Sequence, residues 1–158
     1  MTEFRNSLPQ LDGGLFLTDG SIETALIFHE GIDLPNFATF DLLREIDGKE
    51  ALRKQFSSYA AIARDHGVGC VLETPTWRAN SDWGDKMGYS KAALGAVNEE
   101  AVSLLMEVRK DYQNEATPVV ISGGLGPRGD GYVAGELMDA DQSQQYHAPQ
   151  IAALCRAG

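Results

Sequence analysis

Leu17-Thr18-Asp19-Gly20-Ser21-Ile22-Glu23-Thr24 ends a short apolar run and opens a helical pattern. Asp19 and the flexible Gly20 therefore lie where a strand passes into a helix, which is where α/β proteins hold their ligands. The Asp19 carboxylate can bind a ligand ammonium group, and the backbone N–H groups that open the helix can bind a carboxylate. The alternative is a helix cap at a tight turn, which the spacing alone slightly favours.

The strand–helix alternation that begins at this stretch occurs three times along the chain. Predicted strands cover residues 15–18, 69–73 and 118–122. Predicted helices cover residues 22–29, about 48–66, about 98–112 and a last segment that reaches Leu154. Because the strands are short and almost continuously apolar, they favour a parallel sheet covered by helices. The sequence therefore predicts an α/β fold with polar residues at the carboxyl ends of its strands.

Several residues mark the expected helix boundaries. The second helix has its apolar residues on one face, at Leu52, Phe56, Tyr59 and Ala63. Gly67 is expected to end that helix. Asn98 is the predicted cap of the third helix, and Asp141 or Ser143 that of the last. Pro149 lies inside the last helix and is expected to kink it.

The composition excludes two classes of partner. The 158 residues fit one domain and carry a formal net charge of −10. An acidic chain without a basic block lacks the surface that nucleic-acid binding needs. No apolar run approaches the ~20 residues of a membrane span, and residues 1–10 lack the apolar core of a secretion signal. Two widely separated cysteines fit reduced thiols in a cytoplasmic protein.

Two further loops follow predicted strands. Residues 74–80, Thr-Pro-Thr-Trp-Arg-Ala-Asn, offer two hydroxyls and an indole, which can contact a ligand or equally well satisfy the local backbone. Residues 124–129, Gly-Leu-Gly-Pro-Arg-Gly, match the spacing of a dinucleotide-binding loop. Gly131 and Gly135 interrupt the helix that should follow such a loop. A loop whose glycines let the backbone approach a ligand is therefore the favoured interpretation.

The residues alone predict neither a metal site nor a nucleophilic triad. The candidate metal ligands have no recognised ligand spacing; they are Cys70, Cys155, His29, His66 and His147. Three candidate nucleophilic serines have no identifiable base; they are Ser21, Ser81 and Ser122.

The order of the motifs resembles the homocysteine S-methyltransferase family. Residues 17–24 resemble its opening Asp-Gly-x-x-x-Thr signature, and residues 73–80 resemble its second-strand Thr-x-Thr/Ser-aromatic-x-Ala-Ser/Thr segment. Residues 122–129 are similar to its Gly-Ser-x-Gly-Pro-x-Gly loop, and residues 146–158 to the helix before its fourth strand. Each motif alone is weak, but the four occur in the family's order over nearly the whole chain.

This resemblance implies a (β/α)₈ barrel, the TIM barrel, of which residues 1–158 hold about the first three βα units as one incomplete domain. In the family, a zinc ion held by three cysteines binds the homocysteine thiol and favours its thiolate. The sulfur then takes a methyl group from a sulfonium, quaternary ammonium or methylated folate donor, which forms methionine. Homocysteine and a methyl donor are therefore the expected partners.

The resemblance also implies roles for individual residues. Asp19 holds the substrate amino group, and the backbone around Gly20 and Ser21 binds the carboxylate region. Either Thr74 or Thr76 adds to that carboxylate site. The implied donor side is lined by Trp77, where a cationic donor can stack on the indole.

Some of the family's elements are missing from this sequence. The zinc cysteines of the family come from its sixth strand and a Gly-Gly-Cys-Cys segment, and its second acid for the amino group is a Glu at the fourth strand. Since the chain has none of these, we expect it to bind no zinc and to be inactive by itself. The alternative is a non-catalytic α/β module that binds a small amino acid or completes a barrel with another chain. Exposed edges of the partial sheet predict self-association.

Overall fold

The computed structural model describes residue 4, residues 6–133 and residues 135–158. Three parallel strands form one sheet in the order β1 (Phe16–Thr18), β2 (Gly69–Glu73) and β3 (Val119–Ser122). In the register, Leu17 pairs with Cys70, which in turn pairs with Val119. The predicted α/β fold with parallel strands is confirmed, and each strand lies within one residue of its predicted bounds.

Helices connect the strands, as the alternation predicts. The first, α1 (Ile22–Thr24), continues directly into a π-helical segment, Ala25–His29. The other helices are α2 (Ile46–His66), α3 (Ser81–Lys86), α4 (Lys91–Tyr112) and α5 (Ala140–Ala157). Short 3₁₀ turns occur at Pro9–Leu11, Pro35–Phe37 and Thr39–Arg44. Gly67 ends α2 with φ of 61°, a left-handed conformation that glycine adopts without strain.

The core lies between the sheet and the helices α2 and α4. Helix α2 contacts β1 and β2, α4 contacts β3, and the two helices contact each other. Phe56 of α2 and Leu105 of α4 are fully buried there. Cys70 and Leu72 of β2 also point into this core, because alternate residues of a strand face opposite sides. Val71 and Glu73, on the other face of β2, line a cleft at the carboxyl end of the sheet.

The prediction that Asn98 caps the third helix is wrong. Helix α4 begins at Lys91, and Ser90 is its cap, with the Ser90 hydroxyl accepting from the Ala93 N–H at 3.2 Å. Asn98 is instead 1% exposed within the helix. Its amide donates to the carbonyls of Ala79 and Leu94, at 3.0 and 2.9 Å. The Asn98 side chain, which resembles a helix cap in the sequence, is therefore buried and connects the helix to the loop after β2.

The prediction that Asp141 or Ser143 caps the last helix is also wrong. Asp139 caps α5, and its carboxylate accepts from the Gln142 N–H at 2.8 Å while the Gln142 side chain accepts from the Asp139 N–H at 3.0 Å. This reciprocal capping box starts the helix two residues before the earlier of the predicted caps, Asp141. Pro149 lies inside α5 as predicted. None of the described helices is long and apolar enough to cross a membrane.

Candidate functional site

The carboxyl ends of the strands and their following loops form a cleft of about 350 Å³. Its walls come from the β1–α1 junction, the end of β2 and the last residue of β3. The lining residues are Thr18, Asp19, Gly20, Ser21, Ile22, Glu23, Val71, Glu73, Thr74, Pro75, Trp77 and Ser122. Five of the six sequence-predicted site residues are therefore together in one place, and Thr76 is the exception.

Asp19 is held between β1 and β2 by two hydrogen bonds. Its backbone N–H donates to the Val71 carbonyl at 3.2 Å, and its Oδ2 accepts from the Glu73 N–H at 3.0 Å. The carboxylate therefore does not cap α1, so the alternative of a helix cap is wrong for this side chain. The N-cap position belongs to Ser21, whose Oγ is 2.9 Å from Thr24 Oγ1.

The cleft concentrates negative charge around Asp19. Partial burial raises the pKa of the Asp19 carboxyl from its ordinary 3.8 to about 6. The hydrogen bond from the Glu73 N–H lowers this pKa, whereas the negative charges of Glu73 and Glu23 raise it. A bound cation would favour the ionised carboxylate, so the arrangement is suited to an ammonium group.

Glu23 and Glu73 are cleft residues that the sequence interpretation did not single out. Glu73 is the last residue of β2 and lies on the same strand face as Val71, which also lines the cleft. Glu23 accepts a hydrogen bond from the Thr39 hydroxyl at 2.7 Å, which fixes it to the turn before α2. The signal for Glu73 was available, because the acid ends a predicted strand; nothing in the sequence indicates the Thr39 contact.

Thr74 and Thr76 form a buried hydroxyl pair that joins the loops after β2 and β3. Their Oγ1 atoms are 2.7 Å apart, and the Thr76 hydroxyl donates to the Gly124 carbonyl at 2.8 Å. The Gly124 N–H donates back to Thr74 Oγ1 at 2.9 Å. Thr76 has no exposed surface, and Thr74 contributes to the cleft wall. In the structure the two hydroxyls bond to each other and to the backbone of Gly124, as expected if they satisfy local backbone groups.

The glycine-rich loop after β3 lies directly on the loop after β2. A Cβ on Gly124 would stand 2.7 Å from the Thr74 carbonyl oxygen, and one on Gly126 would overlap the Trp77 carbonyl. A Cβ on Gly131 would meet the Trp77 ring at 2.9 Å. The glycines therefore allow two loops to approach each other closely, and helix α5 begins only at Ala140. This geometry accounts for the glycines without a dinucleotide.

A polar network lies behind the cleft. Gln150 of α5 donates to the Thr76 carbonyl at 2.8 Å and to Asn98 Oδ1 at 3.1 Å. Asn80 caps α3, and its Oδ1 also accepts from the Tyr146 hydroxyl at 2.9 Å. These contacts span α4, α5 and the loop after β2, so they support the loop that carries Trp77. Local sequence patterns do not predict these hydrogen bonds, because the bonded residues are far apart in the sequence.

The described residues do not fit a zinc site. They contain no group of three or more His, Cys, Asp or Glu side chains that could hold a metal ion. Cys70 is buried on β2, and burial raises the pKa of its thiol to about 11, which disfavours the thiolate that a metal requires. Cys155 is exposed on α5 and lines a different hollow.

Comparison with solved structures identifies the fold. The chain is similar to crystal structures of the homocysteine methyltransferase MmuM from Escherichia coli in its metallated form (TM-score 0.76, 21% identity) and its oxidized form (TM-score 0.76, 22% identity). The first comparison covers 96% of this chain and 54% of the MmuM chain, and the second 94% and 52%. The chain thus spans about half of these structures, and its three βα units correspond to part of a TIM barrel.

Comparison of the sequence points to the same family. No curated protein matches the chain at a significant level. The family model described as homocysteine S-methyltransferase matches residues 16–158, a range that holds all four motifs and every residue of the cleft. The chain belongs to the homocysteine S-methyltransferase family.

Proposed function

We propose that this chain binds homocysteine in the cleft and forms the amino-acid-binding part of a homocysteine S-methyltransferase. The observation that carries the proposal is the Asp19 carboxylate, held at the carboxyl end of the sheet with Glu23 and Glu73 beside it. Family membership supports homocysteine as the amino acid. The acidic cleft supports binding through the ammonium group, because opposite charges stabilise each other in a partly desolvated site.

The cleft residues take different parts in this proposal. Asp19 binds the ammonium group of homocysteine, and the backbone N–H groups at Gly20 and Ser21, which line the same cleft, bind its carboxylate. Thr74 completes the wall on the β2 side. Thr76 is a positioning residue: its hydroxyl bonds to the Thr74 hydroxyl and to the Gly124 carbonyl and so fixes the wall of the cleft. Trp77 forms the side from which a methyl donor approaches.

The proposed reaction moves a methyl group from a donor to the homocysteine sulfur and yields methionine. Binding both substrates in one cleft makes the displacement effectively unimolecular, which lowers the barrier. The residues of this chain supply binding and orientation, and their cysteines do not fit the metal that would activate the thiol. We therefore propose that the chain binds homocysteine but does not turn it over alone.

A second candidate function is that of a module which completes a barrel with another chain. The observation that favours it is the sheet itself, in which β1 and β3 each pair on one side only among the described residues. Such edges present unpaired backbone groups to a further strand. This candidate keeps the same cleft, so amino-acid binding and strand pairing are compatible properties.

Homocysteine binding to the full chain tests the proposal. Homocysteine at 100 times its dissociation constant should raise the free energy of unfolding by about 2.7 kcal/mol. Asp19→Asn should abolish most of this effect while keeping the fold, because an amide oxygen can still accept from the Glu73 N–H. Asp12→Asn removes the same charge from an exposed turn and should bind like the wild type. Equal stabilisation of both variants would refute the role of Asp19.

A further inference from the structure

Tyr59 of α2 lies directly against the turn that carries Asp19. A Cβ on Gly20 would stand 2.9 Å from the Tyr59 hydroxyl oxygen, 3.6 Å from Cζ and 3.7 Å from Cε1 of the same ring. Because 2.9 Å is closer than a side-chain carbon and an oxygen approach in proteins, a side chain at position 20 would push the turn and the ring apart. The hydroxyl therefore occupies the space that a side chain at position 20 would need.

The Tyr59 side chain is itself held in place. Its ring is partly buried and packs against the apolar core, and α2 contacts β1. Its hydroxyl accepts a hydrogen bond from Gln55 Nε2, one helical turn earlier, at 3.2 Å. Since a closely packed ring has little room to move, a clash at position 20 would displace the turn as well as the ring.

The glycine at position 20 is required by this contact and not by its backbone conformation. Gly20 is not among the glycines that have a positive φ. Asp19 and Gly20 both line the cleft, and Asp19 is hydrogen-bonded to β2 through its backbone N–H and its carboxylate. The turn is therefore fixed by hydrogen bonds at Asp19 and by the Tyr59 hydroxyl at Gly20.

We propose that Tyr59 is a positioning residue for homocysteine binding, whose hydroxyl fixes Gly20 and thereby the Asp19 carboxylate and the backbone N–H groups that open α1. Tyr59 is not among the lining residues of the cleft, so it acts through the turn and not by contact with the substrate. This role rests on the proposed function, because it supports the same amino-acid site. The apolar face of α2 accounts for the ring of Tyr59, and the contact with Gly20 accounts for its hydroxyl.

Two substitutions at this contact should each weaken binding, and their effects should cancel when they are combined. Gly20→Ala pushes the turn away from the ring, and Tyr59→Phe leaves a gap beside Gly20, so each alone should weaken homocysteine binding by at least about threefold. In the double variant the added methyl group fills the space that the hydroxyl leaves, and it meets the ring carbons at 3.6 and 3.7 Å, which is ordinary contact. The double variant should therefore bind within about twofold of the wild type.

Calorimetric titration of the full chain with homocysteine measures these affinities, and thermal melts without ligand measure stability separately. Tyr112→Phe is the control for the lost hydroxyl, since Tyr112 also packs against the core but ends α4, at the end of the helix that leads into β3. Gly95→Ala is the control for the added methyl group, because a Cβ there meets nothing within 4 Å. Both controls should bind homocysteine like the wild type. A tyrosine that only stabilised the fold would change the melts and leave the affinities equal.

The carboxyl signal of Asp19 is a second readout, and it needs no homocysteine. An NMR titration of the free wild type should give this carboxyl a pKa of about 6. Gly20→Ala should move the pKa toward the ordinary 3.8, because burial is the largest cause of the raised value and a displaced turn exposes the carboxyl. The double variant should restore the wild-type pKa.

Three results would overturn the proposal: losses of affinity that add in the double variant, single variants that bind like the wild type, or an Asp19 titration that Gly20→Ala leaves unchanged. If Gly20→Ala fails to fold, Tyr59→Phe and the double variant still decide, because the double variant should fold and bind like the wild type. The proposed function fails separately, if the wild type shows no homocysteine binding that depends on Asp19. In that case the Asp19 titration of the variants still shows whether Tyr59 positions the turn.

Discussion

At the residue scale, the chemistry of the cleft depends on one partly buried carboxylate. Asp19 is fixed by the Glu73 N–H and lies beside two other acids, so its ionised form is disfavoured in the absence of a ligand. Binding sites often contain an acid whose ionised form is disfavoured in the free protein, because the ligand supplies the missing opposite charge. The same residue should therefore weaken the free protein and strengthen the complex.

Asp19→Asn should stabilise the free protein at pH 7.5 more than at pH 4. Because the pKa of the Asp19 carboxyl is raised to about 6 in the folded state, the contribution of this group to stability is fully present below about pH 4 and is lost as the pH rises through 6. Because the side chain is partly exposed, solvent screening leaves on the order of 1 kcal/mol, or about 2–4 °C in melting temperature. Thermal melts at both pH values measure this, and an equal gain at both would contradict the account of Asp19.

At the element scale, buried amides join the two long helices to the loop that carries Trp77. Asn98 of α4 donates to the Ala79 carbonyl and accepts from Gln150 of α5. The helices thus hold the loop by hydrogen bonds as well as by apolar packing. Buried polar groups are costly when left unpaired, so the whole set depends on each member.

Asn98→Ala should reduce the free energy of unfolding by about 1–3 kcal/mol, because it leaves the buried Ala79 carbonyl without its donor and removes one of the two acceptors of the Gln150 amide. Ser103→Ala is the control, since it removes a hydroxyl from the exposed side of the same helix, where it donates to the Glu99 carbonyl at 3.2 Å. Denaturant unfolding compares the two. A loss no larger for Asn98→Ala than for Ser103→Ala would show that the network contributes little.

The elements also show how far sequence patterns reach. The strands and α2 were predictable, because continuous apolar runs and the i, i+4 spacing of Leu52 and Phe56 are local signals of burial. The cap predicted at Asn98 was wrong because the side chain bonds to residues 79 and 150, which are close to it only in the folded chain. In the candidate site, Asp19 was predictable from its strand end. The neighbouring Glu23 and the sharing of the Thr76 hydroxyl with Gly124 depend on tertiary contacts and carry no local signal.

At the scale of the whole molecule, the free edge of β3 borders an apolar hollow of about 280 Å³. Val120, Ile121 and Leu154 line it together with Leu125, which is 43% exposed. In a closed barrel each strand pairs on both sides, whereas among the described residues this edge and the opposite edge of β1 have no paired strand. We propose that the chain self-associates or pairs with another chain through them.

Leu125→Lys should shift this association to higher protein concentration, because a charge at the hollow must be desolvated when a partner covers it. Ile62→Lys adds the same charge to an exposed position on α2 and is the matched control. Sedimentation velocity over a wide concentration range measures the difference. A strictly monomeric wild type with a cooperative melt would contradict the proposal, and so would equal effects of the two lysines.

The central claim is that the ionised Asp19 carboxylate binds the homocysteine ammonium group, and the pH dependence of homocysteine affinity tests it most directly. The charges of the amino acid stay constant between pH 5 and 7, whereas Asp19 titrates near 6. Calorimetric titration of the full chain should therefore show affinity rising by about tenfold from pH 5 to pH 7, and Asp19→Asn should bind weakly at both values. Affinity that is independent of pH in this range, or unchanged in Asp19→Asn, would contradict the claim.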